Sequence, residues 1–400
     1  MHSPSRTDVE ERAASGVSRA PRARVARTRE RPRSPWARHI AVRALERARV
    51  GPRALTLATG LAASVPVIAA TVKAVRDGWV PTADQAIIAT RSYDVFTSHT
   101  PLVGQYSYAG HVTGQLTHSL GPMLYWLLAI PAHFGSSASI TETIAAANVL
   151  SIVGVVALAR RRGGLVLMFA TALAVALMCQ SLAGEVLHDI WNPDAGLFPF
   201  TLLIFLCWSL ACGEYRLLPL TALVASYVLQ ANLMYFAATV GMLAVAAAGL
   251  LWPLRSRKRV RAAFAEGARA QRRSVSRFAA AALAVAAVCW SFPVADQLTE
   301  RTGNMTLVVQ SATAHKSTLG ASAGWHAVVR AVGVRPWWLY VPVDRWQRQY
   351  DVRKAPRAHT EYSAVLLLLA LAGVLAVSLA RRRRDLASAA LIAFVLCGAL

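Results

Sequence analysis

The sequence predicts an all-α polytopic membrane protein, a bundle of about nine or more transmembrane helices with two large loops on the outer side. Three observations carry this. Hydrophobic residues make up 55% of the 400 and charged residues only 16%, against about 25% charged in a soluble protein. The apolar residues gather in runs, and about 20 residues of helix cross a hydrocarbon core. The 43 Lys and Arg, set against 20 Asp and Glu for a formal charge of +23, lie in blocks between those runs. Such blocks orient a membrane protein. They do not read as a nucleic-acid-binding surface, and nucleic acid is not expected as a partner. Cys179, Cys207, Cys212, Cys289 and Cys397 all fall inside apolar runs. None has metal-ligand spacing or a partner in a loop, so they read as small apolar residues.

Residues 1–53 are expected to be a disordered basic cytoplasmic tail. The first fifty hold thirteen Arg and five acids with almost no apolar periodicity, too little to offset the entropy of ordering. So long a polar stretch before the first apolar run is no ordinary signal peptide. Its charge keeps it in the cytoplasm, beside anionic headgroups. The apolar runs are Ala54–Val75, Thr141–Ala159, Gly164–Ala183, Gly196–Cys212, Leu217–Ala231, Leu233–Trp252, Phe278–Val294, Tyr362–Ala380 and Leu386 onward. Leu217–Ala231 and the next run form a tight hairpin with Gln230 and Asn232 at a polar tip. Leu386–Leu400 fits either a short last span or part of one that continues in a longer protein, the reading favoured here.

Pro122–Phe134 is apolar but too short to cross. With Arg160–Arg162, Arg255–Arg277 and Arg381–Arg384 all cytoplasmic, it has to lie in the outer interface as a juxtamembrane or re-entrant helix. Residues 54–294 then form a seven-span core with a first outside loop over 76–140. Residues 295–361 form a second outside loop, and 362–400 the C-terminal spans. Ala- and Arg-rich usage suggests a high-GC bacterium, hence a multi-pass protein of a bacterial plasma membrane with its N-terminus cytoplasmic.

The candidate chemistry lies in the outside segments. Asp84 follows the first span in an aromatic and apolar setting, where desolvation or a nearby cation tunes a carboxylate for general-base work. The alternative is an acid that caps the helix starting at Gln85. Asp77 and Asp94 are weaker candidates. Glu185, His188, Asp189 and Asp194 cluster between two spans. If the helix continues, Glu185 shares a face with His188 and Asp189, a set that leaves a divalent metal open. The alternative is a solvated helix end with a turn at Asn192-Pro193. His118 opens the interfacial helix in His118-Ser-Leu-Gly-Pro-Met-Leu-Tyr-Trp, as a phosphate or sugar ligand or as an ordinary helix-entry histidine. The second loop carries Arg301, Lys316 and Arg335 among its basic residues, with many Trp and Tyr. Such a loop binds phosphate or lies on anionic lipid, and Trp325–Trp338 has the pattern of an amphipathic interfacial helix. The glycosylation pattern Asn304-Met-Thr is read as chance. Walker and GxGxxG motifs are absent, so a nucleotide-driven pump is unsupported. The span centres are nearly free of charge, which argues against ion-coupled transport.

This layout resembles the glycosyltransferase C superfamily, which includes protein O-mannosyltransferases, aminoarabinose transferases and actinobacterial arabinosyltransferases. Asp84 matches the acidic residue of the family's first outside loop, and His118-Ser-Leu-Gly-Pro-Met-Leu looks like a divergent form of its His-Pro-Gly-Pro-Leu motif. Many members pair two acids at the first position, where Gln85 follows Asp84 here. The resemblance implies an inverting GT-C enzyme. A polyprenyl-phosphate-linked sugar would be the donor and a cell-envelope glycan or lipid the acceptor, with no cofactor required and a divalent metal used in some members. Asp84 would be the base. Arg301, Lys316 and Arg335 would hold the leaving phosphate, while His118, His188, Asp189, Gln230 and Asn232 would bind substrate. The rival is a non-catalytic lipid-binding or lipid-translocating protein; a third reading is a degenerate member acting as an assembly partner.

Overall fold

The computed structural model describes residues 51–112, 114–255, 265–314, 319–334, 336 and 353–399. Residues 1–50 of the expected tail, Lys316, Arg335 and most of the aromatic stretch after Val334 lie outside them, while Pro52 and Arg53, expected in the tail, begin the first helix. The described residues belong to one compact unit, Gly51–Leu400, and are overwhelmingly helical.

The first apolar run is two helices, α1 (Pro52–Ala63) and α2 (Val65–Arg76), bent by 49°. Pro66 explains the break, because a proline lacks the N–H and clashes with the carbonyl four residues back. After an irregular turn come α3 (Asp84–Asp94), a two-stranded antiparallel hairpin β1–β2 (Tyr106–Ser107 and Thr117–His118) and α4 (Met123–Phe134). Helix α4 covers the short apolar stretch and stops at Gly135.

Helix α5 (Ser137–Ser181) contains a break at Gly163 and Gly164, the latter at φ 66°. A positive φ is cheap only for glycine. The Thr141 hydroxyl donates to the His188 carbonyl (2.8 Å), and the Asn148 amide donates to the Leu187 carbonyl (3.0 Å). Those bonds join the start of the helix to the residues just beyond its end, so α5 folds back on itself as two antiparallel arms. Then follow α6 (Asn192–Ala211), α7 (Leu218–Ala231), α8 (Phe236–Arg255), α9 (Ala265–Thr299), α10 (Asn304–Thr313), α11 (Gly320–Val332), α12 (Ala358–Ala380) and α13 (Arg384–Gly398). Among the described residues five helices are long and apolar enough to cross a membrane, or six with α1 and α2 taken as one bent span. The runs at α7 and α13 are helical but shorter than a full crossing.

Two buried clusters hold the bundle. One joins α1, α2, both arms of α5 and α6 through residues such as Val67, Ile152, Met168 and Phe198. The other joins α3, α4, α6, α7 and α8 through Ile88, Leu128, Leu203, Val228 and Met242. At one end of the bundle Arg160 donates to the Pro52 carbonyl and Thr56 hydroxyl, and Arg161 and Arg162 pair with Glu214. Trp208 bonds the Asp385 carbonyl at 2.8 Å beside them. The opposite end gathers α3, the β-hairpin, the α5–α6 loop and α10.

At that second end the chain is locked by Gln230, 1% exposed, whose amide donates to the Cys289 carbonyl at 2.8 Å. Its Oε1 faces Gly121, where a Cβ would lie 2.2 Å from that oxygen and 2.6 Å from Pro293 Cγ. Gly121→Ala is expected to cost about 1–3 kcal/mol, the range for overpacking a filled core. A thermal-shift assay in detergent checks this. Adding Gln230→Ala should recover part of the loss, because the two positions couple directly.

Candidate functional site

Asp84 opens α3, and the residue before it, Ala83, has φ 47° and ψ −122°. That conformation is strained for any residue with a Cβ. Ala83→Gly is expected to stabilise the fold by about 1 kcal/mol, the relief of strain exceeding the added freedom of the unfolded chain. Thermal shift reads it out. The Thr82 N–H donates to Gln85 Oε1 (3.1 Å), so Gln85 helps secure the turn that presents Asp84.

The carboxylate does not cap its own helix by a side-chain bond. Instead Asp84 Oδ2 accepts from Trp191 Nε1 at 3.2 Å. The Trp191 backbone N–H donates to Asp189 Oδ1 (2.9 Å), and Gln85 Nε2 donates to Asp189 Oδ2 (2.8 Å). With the covalent link between Asp84 and Gln85, these three bonds close a ring. The ring ties the start of α3 to the loop before α6, across 104 positions of sequence. Asp84 itself stays exposed, whereas Asp189 is 7% exposed. Burial pushes the Asp189 carboxyl above its ordinary range, opposed by its hydrogen bonds to Trp191 and Gln85. The site thus has two carboxylates in different settings, the arrangement that separates acid–base roles.

His188 lies beside them, 3% exposed, with Trp79 edge-on at 6.2 Å. The helix does not continue through Glu185; a 3-10 turn covers Glu185–Leu187, and His188 follows it. The shared helical face expected for Glu185, His188 and Asp189 therefore does not form. Thr141 Oγ1 spends its proton on the His188 carbonyl, which makes His188 Nδ1 the donor in the 3.0 Å contact between them. The neutral ring then carries its lone pair on Nε2. Burial lowers the His188 pKa, opposed chiefly by Asp189. Because the native state resists protonation, the stability this histidine lends is present above the ordinary value of 6.5 and is lost as pH falls from there through the lowered native value. The stability advantage of the natural chain over His188→Gln should shrink between pH 7 and pH 5, followed by melting at each pH.

The second-loop contribution is local. Asn304, 5% exposed, accepts from the His118 backbone N–H at 2.8 Å and donates back to the His118 carbonyl at 3.1 Å. Its own N–H donates to Asp296 Oδ2 (2.8 Å). These bonds bolt the β-hairpin to the start of α10. The His118 imidazole is half-buried, its pKa lowered by desolvation against the opposing charge of Asp296. Arg301 sits exposed in the turn between α9 and α10. Gln230 is turned into the core, and Asn232 caps the short turn after α7 by accepting from Met234 N (2.9 Å). Neither lines the Asp84 ring. Asp194 sits in the first turn of α6, where sequence placed it.

No group of three His, Cys, Asp or Glu able to hold a metal forms among the described residues. Both Asp189 oxygens and one Asp84 oxygen accept hydrogen bonds. Sequence reasoning singled out Asp84, Asp189, His188 and His118 but missed Gln85 and Trp191 as supports of the two acids, and Asn304 as the support of His118. Along α2 and the first arm of α5 runs a groove of about 450 Å³ lined by Ile68, Thr71, Val72, Val75, Ala145, Ala146 and Val149, with Arg76 and Glu142 also on its wall. No family model, curated protein or solved structure matches the chain.

Proposed function

We propose that the chain is an integral-membrane, GT-C-type inverting glycosyltransferase that moves a sugar from a polyprenyl-phosphate donor to a cell-envelope acceptor outside the cytoplasm. The observation that carries this reading is the ring through Asp84, Gln85, Asp189 and Trp191. It holds an exposed carboxylate at fixed orientation on a strained turn, backed by a second, buried acid. In the reaction Asp84 takes the proton of an acceptor hydroxyl. The oxygen so freed attacks the anomeric carbon from the face opposite the phosphate. The bond from that carbon to the phosphate oxygen breaks, and the lipid phosphate leaves with the electron pair. Configuration inverts, and no nucleotide enters. Catalysis of this kind rests on positioning and on charge stabilisation at the leaving group. Arg301 is the described cation assigned to that charge, with Lys316 and Arg335 assigned by sequence alone.

The second reading, lipid binding without chemistry, is favoured by the groove beside α2, whose apolar wall and Arg76 suit a lipid chain and its phosphate. The two readings separate in one experiment. Proteoliposomes are given polyprenyl-phosphate sugars labelled in the sugar, together with an envelope extract as acceptor. Label moving into the organic-insoluble fraction supports the transferase. Saturable donor binding with no transfer from any sugar tested replaces it with the lipid-binding reading.

A further inference from the structure

Two clusters of exposed aromatic rings stand at the Asp84 end. On α3 and α4, Tyr93 stacks on His133 at 4.4 Å, with Phe96 and Phe134 edge-on to the same imidazole. Its two exposed flanking rings, Phe96 and Phe134, carry no hydroxyl. The β-hairpin cluster is different. Tyr108 lies parallel to His111 (centroids 5.2 Å, 12°) and is nevertheless 78% exposed. One face of the phenol ring is therefore backed by imidazole and the other is open. Tyr106 meets Tyr108 at 5.6 Å and 68°, and its hydroxyl lies 3.3 Å from His111 Nε2. Flat aromatic surface is thus surrounded by two phenol hydroxyls and an imidazole.

We infer that this hairpin is a carbohydrate-binding platform for the acceptor glycan. The C–H face of a sugar ring stacks on the open side of Tyr108, while Tyr106 and His111 bond the ring hydroxyls. The inference rests on the transferase reading and narrows its acceptor from glycan or lipid to glycan. A sugar ring is apolar on its faces and polar around its edge, and the platform has the matching arrangement. The rings are also held before any ligand arrives. Strand pairing, the Thr117 hydroxyl bonded to the Ser107 carbonyl (3.0 Å) and the Asn304 bolt fix the hairpin. Tyrosine loses little rotamer freedom on binding, so the entropic cost is small.

The test is saturation-transfer difference NMR on the full chain in nanodiscs, with linear tetrasaccharides of mannose, galactose, glucose and arabinose as probes. Saturation of ring C–H protons is expected for at least one probe. Tyr108→Ala should weaken that signal at least tenfold, whereas Tyr108→Phe, which keeps the ring, should retain it. Binding is read without donor and without turnover, so a failure of the transferase reading leaves this readout intact. Absence of saturation with all four probes overturns the inference, as does a Tyr108→Ala variant that still binds. Quenching of a Tyr108→Trp reporter by brominated lipid also overturns it, since the ring would then lie in the bilayer.

Discussion

Asp84→Asn is expected to lower sugar transfer by about two to four orders of magnitude, the usual contribution of a positioned general base. Stability should change by no more than about 0.5 kcal/mol, as for other exposed substitutions. The asparagine carbonyl can still accept from Trp191 Nε1, so the turn and the ring through Asp189 survive. What disappears is the ability to take a proton from the acceptor hydroxyl. Radiolabel transfer measured beside a thermal-shift assay separates the two effects. A folded Asp84→Asn variant with full transfer activity removes the base assignment. Asp189→Asn supplies a contrast. Its single side-chain carbonyl cannot serve both Gln85 Nε2 and Trp191 N with two separate oxygens, so it should misplace Asp84 and lower transfer without removing the base.

Asn304→Ala is expected to destabilise the chain by about 3 kcal/mol. The change leaves the His118 N–H without its 2.8 Å acceptor and the His118 carbonyl without its donor, and an orphaned buried polar group costs about 1–3 kcal/mol. Asn304→Asp should not rescue it. A carboxylate still accepts from His118 N but offers no proton to the carbonyls of His118 and Ser119, and it lies near Asp296. Thermal shift reports the loss. Hydrogen exchange adds a local readout, since amides of the β-hairpin should lose protection while those of α5 and α6 keep theirs. Unchanged stability in Asn304→Ala would mean that the first and second loops are joined by something other than this side chain.

How much of this was legible in the sequence follows from the range of each interaction. The apolar runs became helices because their signal is local. The stop after Phe134 and the turn at Gly163–Gly164 follow from glycine and proline, which act within a few residues. Asp84 and Asp189 stood out because acids are scarce here. The bond between Gln85 and Asp189 left no trace, because no periodicity links residues 104 apart. Gln85 read as the loss of a second acid, when it is the tether that brings one from another loop. The hairpin was invisible for another reason. Its strands are two residues long, too short for alternation to declare itself. Asn304 was noticed only as a chance glycosylation pattern, although its amide bolts the hairpin in place.

The doubled-back shape of α5 bears on how the protein is made. Asn148 sits within the first arm, and its amide finds the Leu187 carbonyl only after the second arm has returned. A first arm left alone in hydrocarbon would expose that amide to lipid, at a cost of several kcal/mol. The two arms therefore favour joint release from the insertion machinery, with the glycine pair as the crease, and the paired unit forms before the loop that carries His188 and Asp189 has a wall to rest on.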